Sequence, residues 1–263
     1  MVGGVILTFA VFRPNNNWLV GSQTTIFQQF GAGSGKFAPN GKPLLPAITG
    51  FQGGGLDSPG WGVAFFADDK VWLTNLIGST ISVLDRKTGE PLSPEGGYNF
   101  DGKLGQMQGV LVAPNGDVWA LDNANSQIVH IPGGAPSKGR LLGQTVDGKP
   151  ADGTSQVKLP FGIAIDQEDR IWITNSGSDT VTRFPANDPA KAEEFKVGFS
   201  PHAIAIDSQG NAWVGNGWND TDAGFSENPP EAVSTHFSAH TIVVFFGVAK
   251  PVKTPLIGPV RAQ

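Results

Sequence analysis

Residues 160–184 read PFGIAIDQEDRIWITNSGSDTVTRF, and the centre of this phrase returns along the chain. It recurs as GVAFFADDKVWLTN at 62–75, GVLVAPNGDVWALD at 109–122 and AIAIDSQGNAWVGN at 203–216. Each copy carries one tryptophan: Trp72, Trp119, Trp172 and Trp213. Gly62, Gly109, Gly162 or Ala203 stands ten residues before the ring, and Asn75, Asp122, Asn175 or Asn216 three after it. A weaker copy surrounds Trp18, so the tryptophans are spaced by 54, 47, 53 and 41 residues.

Within 160–184 the residues alternate as strands do. Gly162 and Ala164 fall on one face of a first strand and Ile163 and Ile165 on the other. A polar turn follows (Asp166, Glu168, Asp169), and its sisters PNGD (114–117) and DSQGN (207–211) hold the glycine pairs that tight hairpins require. A second strand carries the tryptophan, whose ring is large enough to fill a gap between packed sheets. Four residues then form a loop (LIGS, NANS or SGSD) before a third strand at 80–84, 127–131 or 180–184. Residues 140–143 and 193–197 are expected as outer strands. Repeat one is read as strands at 5–12, 17–20 and 24–30. A repeat of 40–55 residues built from short strands describes a propeller blade. The expectation is an all-β fold: one domain over 1–263, a five-bladed β-propeller of four-stranded antiparallel blades, with residues 217–240 inserted in the last repeat.

Composition agrees. Charged residues make up 16% of the chain, while 36 glycines and 20 prolines suit short strands and tight turns. The net charge of −5, with no cluster of Lys or Arg, argues against a nucleic-acid surface. With no cysteine, thiol chemistry and cysteine-ligated zinc are excluded. The apolar run 5–12 is too short to cross a membrane and lacks the basic start of an export signal, so the sequence as given is expected to be cytoplasmic.

The phrases TGEPLSPEGGY (88–98), GFQGGGLDSPGWGVAF (50–65) and residues 160–184 resemble bacterial NHL-repeat proteins over nearly the whole chain. That resemblance implies a propeller and leaves the activity open, because the fold serves binding proteins, lyases and lactonases alike. Streptogramin B lyases have a similar strand ending in Trp-Phe-Thr-Glu; here Asn or Asp stands in place of the Glu, which opposes the lyase. The chain is also similar to calcium-dependent propeller lactonases of the gluconolactonase and paraoxonase kind, which hold their metal on Asn, Asp and Glu. It departs from them in having five repeats where they have six. The nearest enzyme type by architecture is a small quorum-quenching lactonase.

Strand direction sorts the chemistry. Asn75, Asp122, Asn175 and Asn216 end the second strands on one rim. Trp61, Gln108, Phe161 and His202, read as lying just before the inner strands, come to the same rim. Asn and Asp at these points have two readings. They end strands by bonding the following turn, or their oxygens hold a hard cation such as Ca²⁺. The 217–240 insert, GWNDTDAGFSENPPEAVSTHFSAH, is twenty residues longer than the unit needs and reads as a lid or as a polar excursion. It contributes Trp218, Phe225, His236 and His240. His202, or His236 or His240, is the candidate base, since imidazole titrates near neutrality. Trp61, Gln108, Phe161, Trp218 and Phe225 are the candidate substrate contacts. His130, mid-strand in QIVHI, is read as structural. The expected activity is metal-dependent opening of a lactone, such as an acyl-homoserine lactone. The alternative is a non-catalytic propeller binding a protein or glycan. No G-x-S-x-G elbow supports a serine hydrolase.

Overall fold

The computed structural model describes residues 9–12, 18–21, 35–37, 53–57, 59–65, 69–86, 88–143, 145–146, 149–150, 157–217 and 242–251. Its contacts form two compact units, Met1–Phe161 and Gly162–Gln263. Among the described residues the architecture is all-β. Three 3-10 turns, Pro132–Gly134, Pro136–Lys138 and Pro189–Lys191, are the helical elements there.

The first unit begins with an antiparallel sheet of β1 (Phe9–Phe12), β2 (Trp18–Gly21) and β3 (Gly35–Phe37). Here β2 pairs with β3, with Trp18 opposite Phe37; the third strand expected from sequence was the 24–30 segment. Residues 24–30 lie outside the described residues. The second sheet is β4 (Pro59–Phe65), β5 (Lys70–Asn75) and β6 (Thr80–Asp85). Its outer edge is covered by residues 91–98, which meet β6 through two isolated bridges, Leu84 to Pro91 and Ile81 to Tyr98. The third is a full four-stranded sheet: β7 (Met107–Val112), β8 (Val118–Asp122), β9 (Gln127–Ile131) and β10 (Arg140–Leu142). A two-stranded hairpin follows, β11 (Thr145–Val146) and β12 (Lys149–Pro150).

The fourth sheet is β13 (Pro160–Ile165), β14 (Arg170–Asn175), β15 (Thr180–Pro185) and β16 (Glu193–Lys196). The second unit continues with β17 (Pro201–Ile206), β18 (Ala212–Asn216) and β19 (Ile242–Phe245). Both outer strands expected from sequence, near 140–143 and 193–197, are present as β10 and β16.

The repeat is written into the backbone. The residue three before each tryptophan, Asp69, Gly116, Asp169 or Gly210, has a positive φ between 54° and 87°. That left-handed residue closes the hairpin between first and second strands. Seven residues after the ring, Ser79, Ser126 and Asp179 take φ of 52–57° and close the next turn.

Tryptophan seals the seam between adjacent sheets. Trp72 of β5 is buried among Val110, Val112, Val118, Ala120, Val129 and Ile131 of the third sheet. Trp172 of β14 packs against Ile206, Ala212, Val214 and Ala249. Burying such a ring stabilises by a few kcal/mol, at ~25 cal/mol per Å². Trp213 departs from the expected gap-filling role and is 43% exposed. Its indole N–H instead donates to Asp207 at 2.9 Å, as Trp172 donates to Asp166 at 3.1 Å.

The inner strands approach closely at the small residues. A methyl on Gly62 of β4 would lie 2.4 Å from the Gln108 carbonyl of β7. A methyl on Gly162 of β13 would lie 2.4 Å from the His202 carbonyl of β17. Thr74 and Thr174, two residues after their tryptophans, stitch the same seams. Thr74 Oγ1 donates to the Gln108 carbonyl, and Thr174 Oγ1 accepts from Gly162 N at 2.7 Å and reaches the His202 carbonyl at 3.4 Å.

Candidate functional site

Register places the proposed groups at one end of each sheet. Pro59 of β4 pairs with Asn75, Met107 of β7 with Asp122, and Pro201 of β17 with Asn216. Trp61, Gln108, Phe161 and His202 lie inside the inner strands and not before them, because the pairing reaches these ends. In β4, β7 and β17 the ladder slips there, between Pro59 and Val63, Met107 and Val110, and Pro201 and Ala203. Such bulges leave a residue unpaired and re-aim its side chain, which is how a strand presents a group at its rim.

Asn75, Asp122, Asn175 and Asn216 are all buried. Asn75 Nδ2 donates to Thr80 Oγ1 and Ser82 Oγ, both at 2.9 Å, while its Oδ1 accepts from Asp57 N at 3.2 Å. Asn175 Nδ2 repeats this with Thr180 Oγ1 at 3.0 Å and Thr182 Oγ1 at 2.7 Å. Asp122 Oδ2 accepts from Gly105 N, Asn125 Nδ2 and Gln127 Nε2 at 2.9, 2.9 and 2.7 Å, and its Oδ1 from Asn125 N at 3.2 Å. These side chains tie the end of the second strand to the loop and the third strand. The hydrogen bonds match the strand-ending role. A cation on Asp122 and Asn75 would have to displace these donors. Among the described residues no group of three His, Asp or Glu side chains is placed to hold a metal.

His202 sits differently. It is half-buried, and its Nδ1 lies 2.7 Å from the Ser200 carbonyl. A carbonyl only accepts, so Nδ1 carries the hydrogen and Nε2 is the basic nitrogen. Ser200 is itself held: its N–H donates to Asp179 Oδ1 at 2.9 Å, and its carbonyl also accepts from Gly217 N at 2.7 Å. A methyl on Gly217 would lie 2.2 Å from His202 Nδ1. The glycine that opens the insert therefore makes room for the imidazole. Sequence reading singled out His202 but missed Ser200, Asp179 and Gly217. The signal available was Gly217 following Asn216 directly where the loop lengthens.

Gln108, at its bulge, is 4% exposed, and its side-chain carbonyl has no hydrogen-bond partner among the described residues. Phe161 is half-buried on β13. Trp218, Phe225, His236 and His240 lie outside the described residues. His130, read as structural, is buried and bonds Asp117 in the opposite turn of its sheet.

No protein-family model matches the sequence, and no curated protein matches it. Solved structures do. A gluconolactonase from Xanthomonas campestris superposes with a TM-score of 0.54 at 16% identity, covering 90% of this chain and 70% of that one. A virginiamycin B lyase from Staphylococcus aureus gives 0.51 at 13% identity, covering 97% and 73%. A streptogramin B lyase structure matches 62% of this chain at 20% identity with a TM-score of 0.47. This chain spans 48% of the length of that protein. At these identities the likeness speaks for architecture alone, and the chain has the fold of the β-propellers.

Proposed function

We propose that the chain is a hydrolase that opens a lactone ring, with His202 as general base. The observation that carries this is the seat of His202: a bulged rim residue, its tautomer set by the Ser200 carbonyl, its space kept by Gly217. A base oriented by a third group is the arrangement hydrolytic sites require. Nε2 takes a proton from water as the water oxygen bonds the lactone carbonyl carbon. The ring C–O bond then breaks, and the imidazolium returns its proton to the leaving alkoxide. The product is the hydroxy acid. The gluconolactonase likeness and the NHL resemblance favour this class, taking the five tryptophan-bearing sheets as five blades. Acyl-homoserine lactones are the substrates to try first, with Trp218 and Phe225 as candidate contacts and His236 and His240 as further candidate acid–base groups. Calcium on Asn75, Asp122, Asn175 and Asn216 does not fit the hydrogen bonding of Asn75 and Asp122, so no step runs through a metal.

The test is ring opening of N-acyl homoserine lactones followed by proton release. His202→Gln is expected to lower kcat by about 10²-fold or more, and Gly217→Ala to lower it by displacing the ring. Full turnover by His202→Gln would remove the base and with it this mechanism.

A second reading has its own observation. The buried Gln108 side-chain carbonyl, without a partner among the described residues, would accept a glycan hydroxyl where the ligand displaces its cover, as in a glycan-binding propeller. Glycan binding lost in Gln108→Leu, without lactone turnover by the native chain, would favour it.

A further inference from the structure

His130 occupies the middle of β9, where Trp119 of β8 and Arg140 of β10 stand directly opposite it on either side. All three side chains meet. The indole of Trp119 stacks on the imidazole with ring centroids 3.9 Å apart and planes 13° from parallel. Arg140 Nε lies 3.1 Å from His130 Nδ1, and Asp117 Oδ2 lies 2.9 Å from His130 Nε2. A guanidinium can only donate, so Nδ1 must be the accepting nitrogen. The proton is then on Nε2 and points at Asp117. Asp117 Oδ1 in turn accepts from Gly133 N at 2.7 Å, on the 3-10 turn that joins β9 to β10.

One neutral imidazole thus connects the β7–β8 turn, β9, the connecting turn and β10. We propose that His130 is a proton-operated catch on the outer edge of this sheet: neutral, it holds Arg140, and protonation at Nδ1 releases Arg140 and loosens β10. The chemistry allows no intermediate setting. A proton on Nδ1 turns the acceptor into a donor facing another donor, and places two cations side by side. The strand it holds is short, three residues ending in buried Leu142, and Arg140 itself is exposed, so water receives the released guanidinium.

The charged groups facing the ring are Asp117 from the turn and Arg140 from β10; stacked Trp119 is uncharged, and Lys138 on the connecting turn is exposed. Burial is the largest influence and pushes the His130 pKa below the usual histidine value; Asp117 opposes that and Arg140 adds to it. In the acidic range the catch is therefore closed until the pH falls below that of ordinary histidine titration.

The experiment follows the ring nitrogens of the four histidines by NMR in the full chain from pH 8 to pH 4.5, with amide hydrogen exchange of β10 over the same range. The expected result is an Nε2–H tautomer for His130 at pH 8. Protection of the β10 amides, taken relative to each amide's intrinsic exchange rate at that pH, falls with the same midpoint as His130 titration and is flat with pH in His130→Phe. Arg140→Met removes the opposing charge and raises the midpoint by about 1 pH unit. Asp117→Asn moves it the other way, which gives a second sign should either variant be poorly folded. An Nδ1–H tautomer, a midpoint indifferent to Arg140→Met, or β10 exchange that ignores His130 titration would each overturn the proposal.

Discussion

Replacing Asp122 by alanine separates a strand-ending residue from a metal ligand. The carboxylate is fully buried and receives four donors. Two of these, the Asn125 and Gln127 amides, keep a second acceptor in the Lys103 carbonyl, at 3.1 and 2.9 Å. The loss therefore falls mainly on the backbone N–H groups of Gly105 and Asn125. Hydrogen bonds to a charged group contribute about 1.5–3 kcal/mol each, so the expected loss is about 3 kcal/mol. For a unit of this size that lowers Tm by roughly 6–12 °C. The assay is thermal and urea unfolding in EDTA, with Asp122→Asn as the milder variant. The urea midpoint should fall with m unchanged. Calcium should leave the melting of both native chain and variant where it was. A variant melting within about 2 °C of the native chain in EDTA, with calcium stabilising only the native chain, would refute the structural role and restore the metal one.

Gly62→Ala and Gly162→Ala should each cost about 1–3 kcal/mol, because the new methyl has a backbone carbonyl at 2.4 Å and inner strands cannot give way cheaply; melting temperatures check this. Thr174→Val removes the seam bond to Gly162 N and should destabilise by about 1 kcal/mol in urea unfolding, with Thr174→Ser losing less. His130 has a folded-state pKa below its unfolded value of about 6.5. Its contribution is thus complete above that pH and is lost as pH falls from there to the folded value. His130→Phe should flatten that part of the stability–pH curve. The Asp207 carboxyl is held below the ordinary aspartate range, first by the Trp213 indole N–H and then by the backbone and side-chain donors of Asn211 and the backbone N–H of Gln209. Its contribution is present above about pH 4 and is lost on acidification; Asp207→Asn should remove that part of the acid sensitivity of Trp213 fluorescence.

Much of the fold was legible because strand faces and turn angles are local properties. The tryptophan offsets located β5, β8, β14 and β18, and the Asn-Gly and Gln-Gly pairs marked the left-handed positions now filled by Gly116 and Gly210. In repeat one the short Gly35–Phe37 strand carried no offset from Trp18 that the sequence could show, and pairing with Trp18–Gly21 revealed it. The site was half legible. A histidine replacing Trp, Gln or Phe at an equivalent position stood out by comparing repeats, whereas its support from Ser200 and Gly217 comes from contacts that no offset encodes.

By itself, the sequence determined that this chain folds as repeated short-strand sheets, because a period-two pattern with a fixed ring and a fixed turn residue has few other ways to bury its apolar faces. The tertiary structure decided which hydrogen-bond partners surround Asn75, Asp122 and Asn175. An Asn or Asp oxygen is equally suited to a cation or to an N–H, and only folding brings its neighbours within 3 Å. Around Asp122 those partners are Gly105, Asn125 and Gln127.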